Sequence, residues 1–137
     1  MKNSIMKKWV KALRSGKFKQ GEGTLKQFNS KGQAQHCCLG VLCELHNEEM
    51  KKNHKKTIPV KTVKGSYDYS FGFVRFGNST DMLPEKVRKW AGMKSHNGKF
   101  TDTDGIHIIP NNLADVNDFG RKFKTIANII DKNWENL

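Results

Sequence analysis

The run from Gln35 to Leu45 constrains the fold of this chain more than any other stretch, because it is the only long apolar segment in a strongly basic sequence. It also contains all three cysteines. Apolar residues recur in it at the spacing of one helix face: Cys38, Val41, Leu42 and Leu45. The residues just before them alternate like the end of a strand. The pattern predicts a strand that leads into a buried helix at residues 38–49.

The flanking sequence supplies further amphipathic elements around this helix. Periodicity, caps and glycine stops predict helices at residues 4–15, 83–92, 113–116 and 121–134, the third of them capped by Asn112. Alternation and turn residues predict strands at residues 24–28, 33–37, 57–63, 67–76 and 105–109. We therefore expect one α+β domain over residues 1–137. A small antiparallel sheet would pack against the central cysteine-rich helix and the N- and C-terminal helices.

Two of the predicted strands have distinctive side chains. Pro59 cannot donate a ladder hydrogen bond, so residues 57–63 are expected at an edge of the sheet. In the strand at 67–76 the odd positions are aromatic: Tyr67, Tyr69, Phe71 and Phe73. Such a row is typical of a core face packed against helices. The alternative is a stacking platform for bases, with Arg75 close by.

Charge and cysteine usage limit the partners and the compartment. The 137 residues carry a formal net charge of +12, which attracts anions such as nucleic acid, nucleotides or acidic proteins. Lysines spread along the chain are equally typical of a solvated surface. The odd cysteine count, the absence of a leader-like apolar segment at the N-terminus and the absence of a span of roughly 18 apolar residues favour a reducing cytoplasm.

The cysteines allow a catalytic interpretation beside a structural one. A thiolate at a helix N-terminus is activated by the helix dipole, and Cys37 or Cys38 with His107 and Asp115 occur in an order that suits a Cys-His-Asp hydrolase or amidase. The structural interpretation is that the cysteines are small core residues. The histidines and cysteines of the same region lack the paired C-x2-4-C knuckles of a zinc site, so no metal and no cofactor is expected.

Several separate stretches resemble a family of small proteins encoded by tailed bacteriophages and prophages. The similarity lies in residues 9–20, residues 37–43, Leu83-Pro84, residues 90–92, Leu113-Ala114 and residues 117–120, followed by Phe123, Ile126, Ala127 and Ile130. By analogy in size, origin and charge, the resemblance implies a non-catalytic accessory or counter-defence protein of the host cytoplasm. One class of such proteins acts as sponges that sequester nucleotide-derived immune signals.

Polar residues at the ends of the predicted helices are the candidate ligand contacts: Arg14, Ser15, Lys17, Gln20, Asn117 and Asp118, with Arg75 added from the aromatic strand. An arginine can donate two parallel hydrogen bonds to a phosphate, amides can bind a base edge, and a carboxylate can accept from ribose hydroxyls. Capping and turn formation would explain Ser15, Asn117 and Asp118 locally. We expect capture of an anionic nucleotide-like molecule by a homo-oligomer, or alternatively nucleic-acid binding.

Overall fold

The computed structural model describes residues 1–65, 71–100 and 111–137. The helices in these ranges are α1 (Asn3–Arg14), α2 (Cys38–Lys52), α3 (Glu85–Ala91), α4 (Leu113–Asp118) and α5 (Phe123–Asn133). The strands are β1 (Lys26–Phe28), β2 (Ala34–His36), β3 (Val60–Val63) and β4 (Phe73–Phe76), paired antiparallel in the order β2-β1-β4-β3. The predicted α+β class is confirmed. The predicted strand at 105–109 lies outside the described residues.

The central helix α2 is buried on all sides along its first half. From Cys38 to Cys43 the exposed fraction of every apolar side chain is 0%. Gly40 is needed in this segment because a Cβ atom there would lie 1.7 Å from the carbonyl oxygen of Leu25. The indole of Trp9 on α1 donates to the carbonyl oxygen of Cys38 at 2.9 Å. The cysteine-rich helix is therefore the core around which α1, the sheet and α4 are placed.

A partly buried ionic cluster holds the β1–β2 hairpin against α2. The Glu44 carboxylate on α2 lies 2.7 Å from the Lys26 ammonium and 3.0 Å from Nε2 of His36. Burial alone would raise the pKa of Glu44, but the hydrogen bonds from His36 and Lys26 outweigh it and lower that pKa to about 2. Lys26 and His36 are direct cross-strand partners. The face of the hairpin opposite to them is thus turned away from α2.

The sheet confirms one strand prediction and corrects another. β3 lies at an edge of the sheet next to Pro59, as predicted. Of the aromatic row that was expected to form the core face, Phe73 is buried, together with Val74 and Phe76 of the same strand. Gly72, at φ +96°, breaks the alternation before the strand, and Phe71 lies in a turn with 58% of its surface exposed. Tyr67 and Tyr69 lie outside the described residues.

One predicted helix cap is confirmed, and two predicted helix boundaries are shifted. Asn112 caps α4 by accepting a hydrogen bond from the backbone N–H of Asp115 at 3.0 Å, as predicted. That helix continues to Asp118, so the turn expected at Asn117 and Asp118 begins later, and Gly120 adopts φ +78° in it. α3 begins one residue after Pro84, which occupies the N-cap position. Within the three described ranges, no helix combines the length and the apolar character that crossing a membrane requires.

Candidate ligand-binding groove

A groove with a volume of about 520 Å³ runs between α1 and α5. Met6 and Val10, both largely buried, form its apolar floor. Lys7, Lys11 and Arg14 line it along one side of α1, at positions i, i+4 and i+7. This spacing places the three cations one above another on a single helix face. The volume lies within the range of roughly 300–1,000 Å³ that is usual for small-molecule sites.

Arg14, a predicted ligand contact, is held at the groove by residues of α5. Its Nη2 donates to Oδ1 of Asn128 at 2.7 Å and lies 3.6 Å from Oδ2 of Asp131. A guanidinium carries five N–H donors, so this contact leaves others to bind an anion. Ser15 also lines the groove, but its hydroxyl donates to the carbonyl oxygen of Ala12 at 2.6 Å. Ser15 therefore has its predicted capping role and no remaining hydroxyl hydrogen for a ligand.

The predicted contacts Gln20, Asn117 and Asp118 meet at a different place, the junction of the 20–23 loop with α4 and α5. Oδ1 of Asn117 accepts from Gln20 Nε2 at 3.1 Å and from the backbone N–H of Cys38 at 3.2 Å. Its Nδ2 donates to the carbonyl oxygen of Gly21 at 2.9 Å and to Oδ1 of Asp118 at 3.1 Å. Asn117 is completely buried. All of these bonds assign Asn117 to the support of the junction, not to direct contact with a ligand.

The remaining bonds at this junction are also structural. Gln20 Nε2 donates to the carbonyl oxygen of Arg121 at 2.7 Å, and Gln20 Oε1 accepts from the backbone N–H of Phe123 at 3.0 Å. Oδ1 of Asp118 accepts from the backbone N–H of Gly23 at 2.9 Å. Gln20 thus satisfies the N-terminus of α5, which has no cap from its own N-cap residue. The Gln20 amide therefore replaces a local cap of α5, and the Asp118 carboxylate holds the loop at Gly23.

Lys17 and Arg75 lie apart from both groups. The Lys17 ammonium is 3.1 Å from Oε1 of Glu48 on α2 and 5.3 Å from the centre of the Phe18 ring. Arg75 is exposed on β4, directly opposite Lys61 of β3. The seven predicted ligand residues are therefore divided among four places, and only Arg14 and Ser15 line the groove.

The geometry argues against the cysteine nucleophile of the alternative hypothesis. Cys37 is 4% exposed and Cys38 is completely buried. Burial raises the pKa of Cys37 to about 12 and the pKa of Cys38 well above its usual range. Cys37 does cap α2, accepting from the backbone N–H of Gly40, but the cost of burying a thiolate outweighs the helix dipole. Such thiols are protonated at neutral pH and closed to a substrate.

The hydrolase hypothesis also required Asp115 and His107 beside the cysteine. Asp115 is exposed, and its carboxylate accepts a hydrogen bond from the side chain of Asn112 at 2.7 Å. His107 lies outside the described residues. In the part of the chain that the structure describes, no group of three or more His, Cys, Asp or Glu side chains is placed to hold a metal ion.

Sequence reasoning missed Lys7, Lys11, Met6 and Val10 as groove residues. Lys7, Lys11 and Arg14 form a basic stripe on α1 that is visible in the sequence. A stripe of this kind is also typical of a helix face exposed to water. Only the position of α5 beside α1 turns the stripe into the wall of a groove. The mean hydropathy of the chain, −0.72, is an average over all residues and does not show which helices pack together.

The fold and groove define a basic α+β protein with an antiparallel four-stranded sheet and a cation-lined cleft between its terminal helices. The chain belongs to the family described as a domain of unknown function, DUF8296, whose model matches residues 1–134. Comparison with curated proteins gave no match, and comparison with solved structures gave none either.

Proposed function

We propose that this chain is a phage-encoded, non-catalytic accessory protein that captures an anionic nucleotide-like molecule in the α1–α5 groove, within the host cytoplasm. The observation that carries the proposal is the stack of Lys7, Lys11 and Arg14 above the apolar floor of Met6 and Val10. A nucleotide has the complementary parts, because its phosphates are anionic and its base is a planar ring with apolar faces.

The electrostatics of the groove favour a phosphate near Arg14. The lining includes three cations and one carboxylate, that of Asp131. The hydrogen bond to Asn128 fixes the guanidinium before a ligand arrives, so less side-chain entropy is lost on binding. The net charge of +12 increases the encounter rate with any anion. Sequestration needs no catalytic group, which agrees with the buried and protonated thiols.

Calorimetric titration with linear nucleotides, cyclic nucleotides and ADP-ribose derivatives tests the proposal. We expect saturable binding that weakens as salt increases. Lys11→Gln should weaken binding, whereas Asp131→Asn should strengthen it, because the first removes an attractive charge and the second a repulsive one. Lys86→Gln is the matched control, since it makes the same charge change at an exposed position of α3.

Two results would contradict the proposal. One is the absence of binding by every ligand of this panel at low salt. The other is an equal loss of affinity in Lys11→Gln and Lys86→Gln, because that pattern would mean that the ligand responds only to net charge.

Nucleic-acid binding is a second candidate, favoured by one feature of the sheet. Lys61 and Arg75 are exposed and directly opposite each other on β3 and β4. Like charges in such a pair repel, and a phosphate between them would relieve the repulsion. This candidate requires a steep fall of DNA or RNA affinity with salt and a smaller slope in Arg75→Gln. Binding that is weak and indifferent to salt would exclude it.

A further inference from the structure

A second pocket, of about 260 Å³, lies on the side of the β1–β2 hairpin that faces away from α2. Gln27 and Gln35 form its sheet wall, and Lys122 and Gly120 border it from the turn before α5. Its volume is just below the range of roughly 300–1,000 Å³ for whole drug-sized ligands, so it suits a single ring system. It shares no lining residue with the α1–α5 groove.

The two glutamines are placed side by side. Gln27 and Gln35 are direct cross-strand partners, which puts their Cβ atoms about 5 Å apart on one face of the sheet. Both side chains are half-buried, and neither amide hydrogen-bonds to any residue in the described ranges. Neither amide is among the fully buried side-chain groups of the described residues that lack a partner, so solvent reaches both and a ligand can replace that water. The pair therefore offers adjacent donors and acceptors to a ligand.

The loop across the pocket is fixed against these amides. Gly21 is buried, and a Cβ atom at this position would lie 2.9 Å from both Gln27 Nε2 and Gln35 Cβ. Its backbone N–H donates to the carbonyl oxygen of His36 at 2.8 Å, and its carbonyl oxygen accepts from Asn117 at 2.9 Å. A glycine held at both backbone groups gives the pocket a rigid wall without a side chain.

From this arrangement we propose that the Gln27–Gln35 pocket binds an adenine ring. An amide presents a donor beside an acceptor, and glutamine pairs in this way with N6 and N7 of adenine. Adenine has a donor beside an acceptor on both its Watson–Crick edge and its Hoogsteen edge, whereas guanine presents two acceptors on the latter. The Glu22 carboxylate at the rim can accept hydrogen bonds from ribose hydroxyls, and Lys122 balances its charge.

Adenosine is the probe, because it carries no phosphate and so does not depend on the cationic groove. We expect saturable shifts of the Gln27 and Gln35 side-chain NH2 resonances in NMR titrations at millimolar adenosine. N6,N6-dimethyladenosine, which lacks the N6 hydrogens, should bind about tenfold more weakly. Gln35→Met should lose affinity by a similar factor, while Gln33→Met, an exposed change in the same hairpin, should keep it.

Three results would overturn the inference: no shift of either glutamine resonance at millimolar adenosine, equal binding of the dimethylated nucleoside, or equal loss in the two methionine variants. Circular dichroism of both variants identifies any loss that arises from unfolding of the hairpin. A failure here leaves the groove proposal standing, since that proposal concerns anionic ligands and charge variants of α1.

Discussion

The Asn117 amide on α4 joins that helix to the start of α2 and to the 20–23 loop. Its removal should be among the most destabilising single substitutions of a buried polar residue. It binds the backbone N–H of Cys38 at the start of α2 and the carbonyl oxygen of Gly21 in the loop, both inside the protein. Asn117→Ala leaves these two backbone groups without that partner. No water can replace the amide easily, because residue 117 is completely buried.

The expected loss of stability in Asn117→Ala follows from the number of buried backbone groups left without a hydrogen-bond partner. A buried polar group that loses its partner costs about 1–3 kcal/mol, so two such groups cost about 2–6 kcal/mol. Native domains are stable by only about 5–15 kcal/mol. Asn117→Ala should therefore remove a large fraction of the free energy of unfolding, although it deletes only an amide group.

Asn117→Asp tests the donor separately, because it keeps the shape and the acceptor that faces Cys38. It places a carboxylate oxygen against the carbonyl oxygen of Gly21 and against Asp118. Repulsion and burial would raise the folded-state pKa of the new carboxyl above its ordinary value of about 3.9. The free energy of unfolding of Asn117→Asp then falls as pH rises above about 3.9. The variant should regain stability on acidification relative to Asn117→Ala.

Urea unfolding followed by tryptophan fluorescence, at about pH 5 and about pH 7, measures both effects. Asn128→Ala is the matched control, since Asn128 is exposed and its side-chain oxygen accepts a single hydrogen bond, from Arg14. Its cost should stay below about 1 kcal/mol. The reasoning is refuted if Asn117→Ala costs no more than Asn128→Ala. It is also refuted if Asn117→Asp and Asn117→Ala respond identically to pH.

Three other outcomes are expected. Gly40→Ala should prevent folding or lower the unfolding temperature severely, because the new Cβ would collide with the Leu25 carbonyl. This is expected even though alanine is the better helix former by about 1 kcal/mol. A stabilised variant in thermal unfolding would refute the packing of α2. In the unchanged protein, ionised Glu44 contributes to the free energy of unfolding above about pH 4.5, and this contribution is lost as pH falls toward 2. Glu44→Gln should lack this contribution. Acid unfolding of the unchanged protein and of Glu44→Gln would detect the difference. None of the three cysteines should react with a thiol reagent at neutral pH before the protein unfolds, and one fast-reacting thiol would restore the hydrolase hypothesis.

Local chemistry made much of the fold predictable. Helical periodicity located α1, α2 and α5, Asn112 marked the start of α4, and Pro59 placed β3 at an edge. These signals depend on residues a few positions apart, so the sequence contains them directly. Phe73 of the aromatic row is buried as expected, but Phe71 is exposed because Gly72 interrupts the strand geometry between them, and the sequence pattern does not reveal such a break.

The candidate ligand contacts were harder to predict because a polar side chain does not indicate its partner. Gln20 and Asn117 were both expected to contact a ligand, yet they lie 97 positions apart in sequence and bond to each other and to backbone groups. The same amide chemistry suits a ligand or an uncapped helix end. Gln27 and Gln35 gave no signal beyond their place in a hairpin, and only the β1–β2 register makes them neighbours.

The sequence by itself determined the cysteine-rich helix as the centre of the fold, since no other segment is apolar enough to be buried on every side. It also determined the positive charge and the basic stripe of α1. The tertiary structure decided which of these features face a cavity, because the groove requires α1 and α5 to pack side by side. Arg14 and Asn128 are 114 positions apart, and no local pattern encodes a contact across that distance.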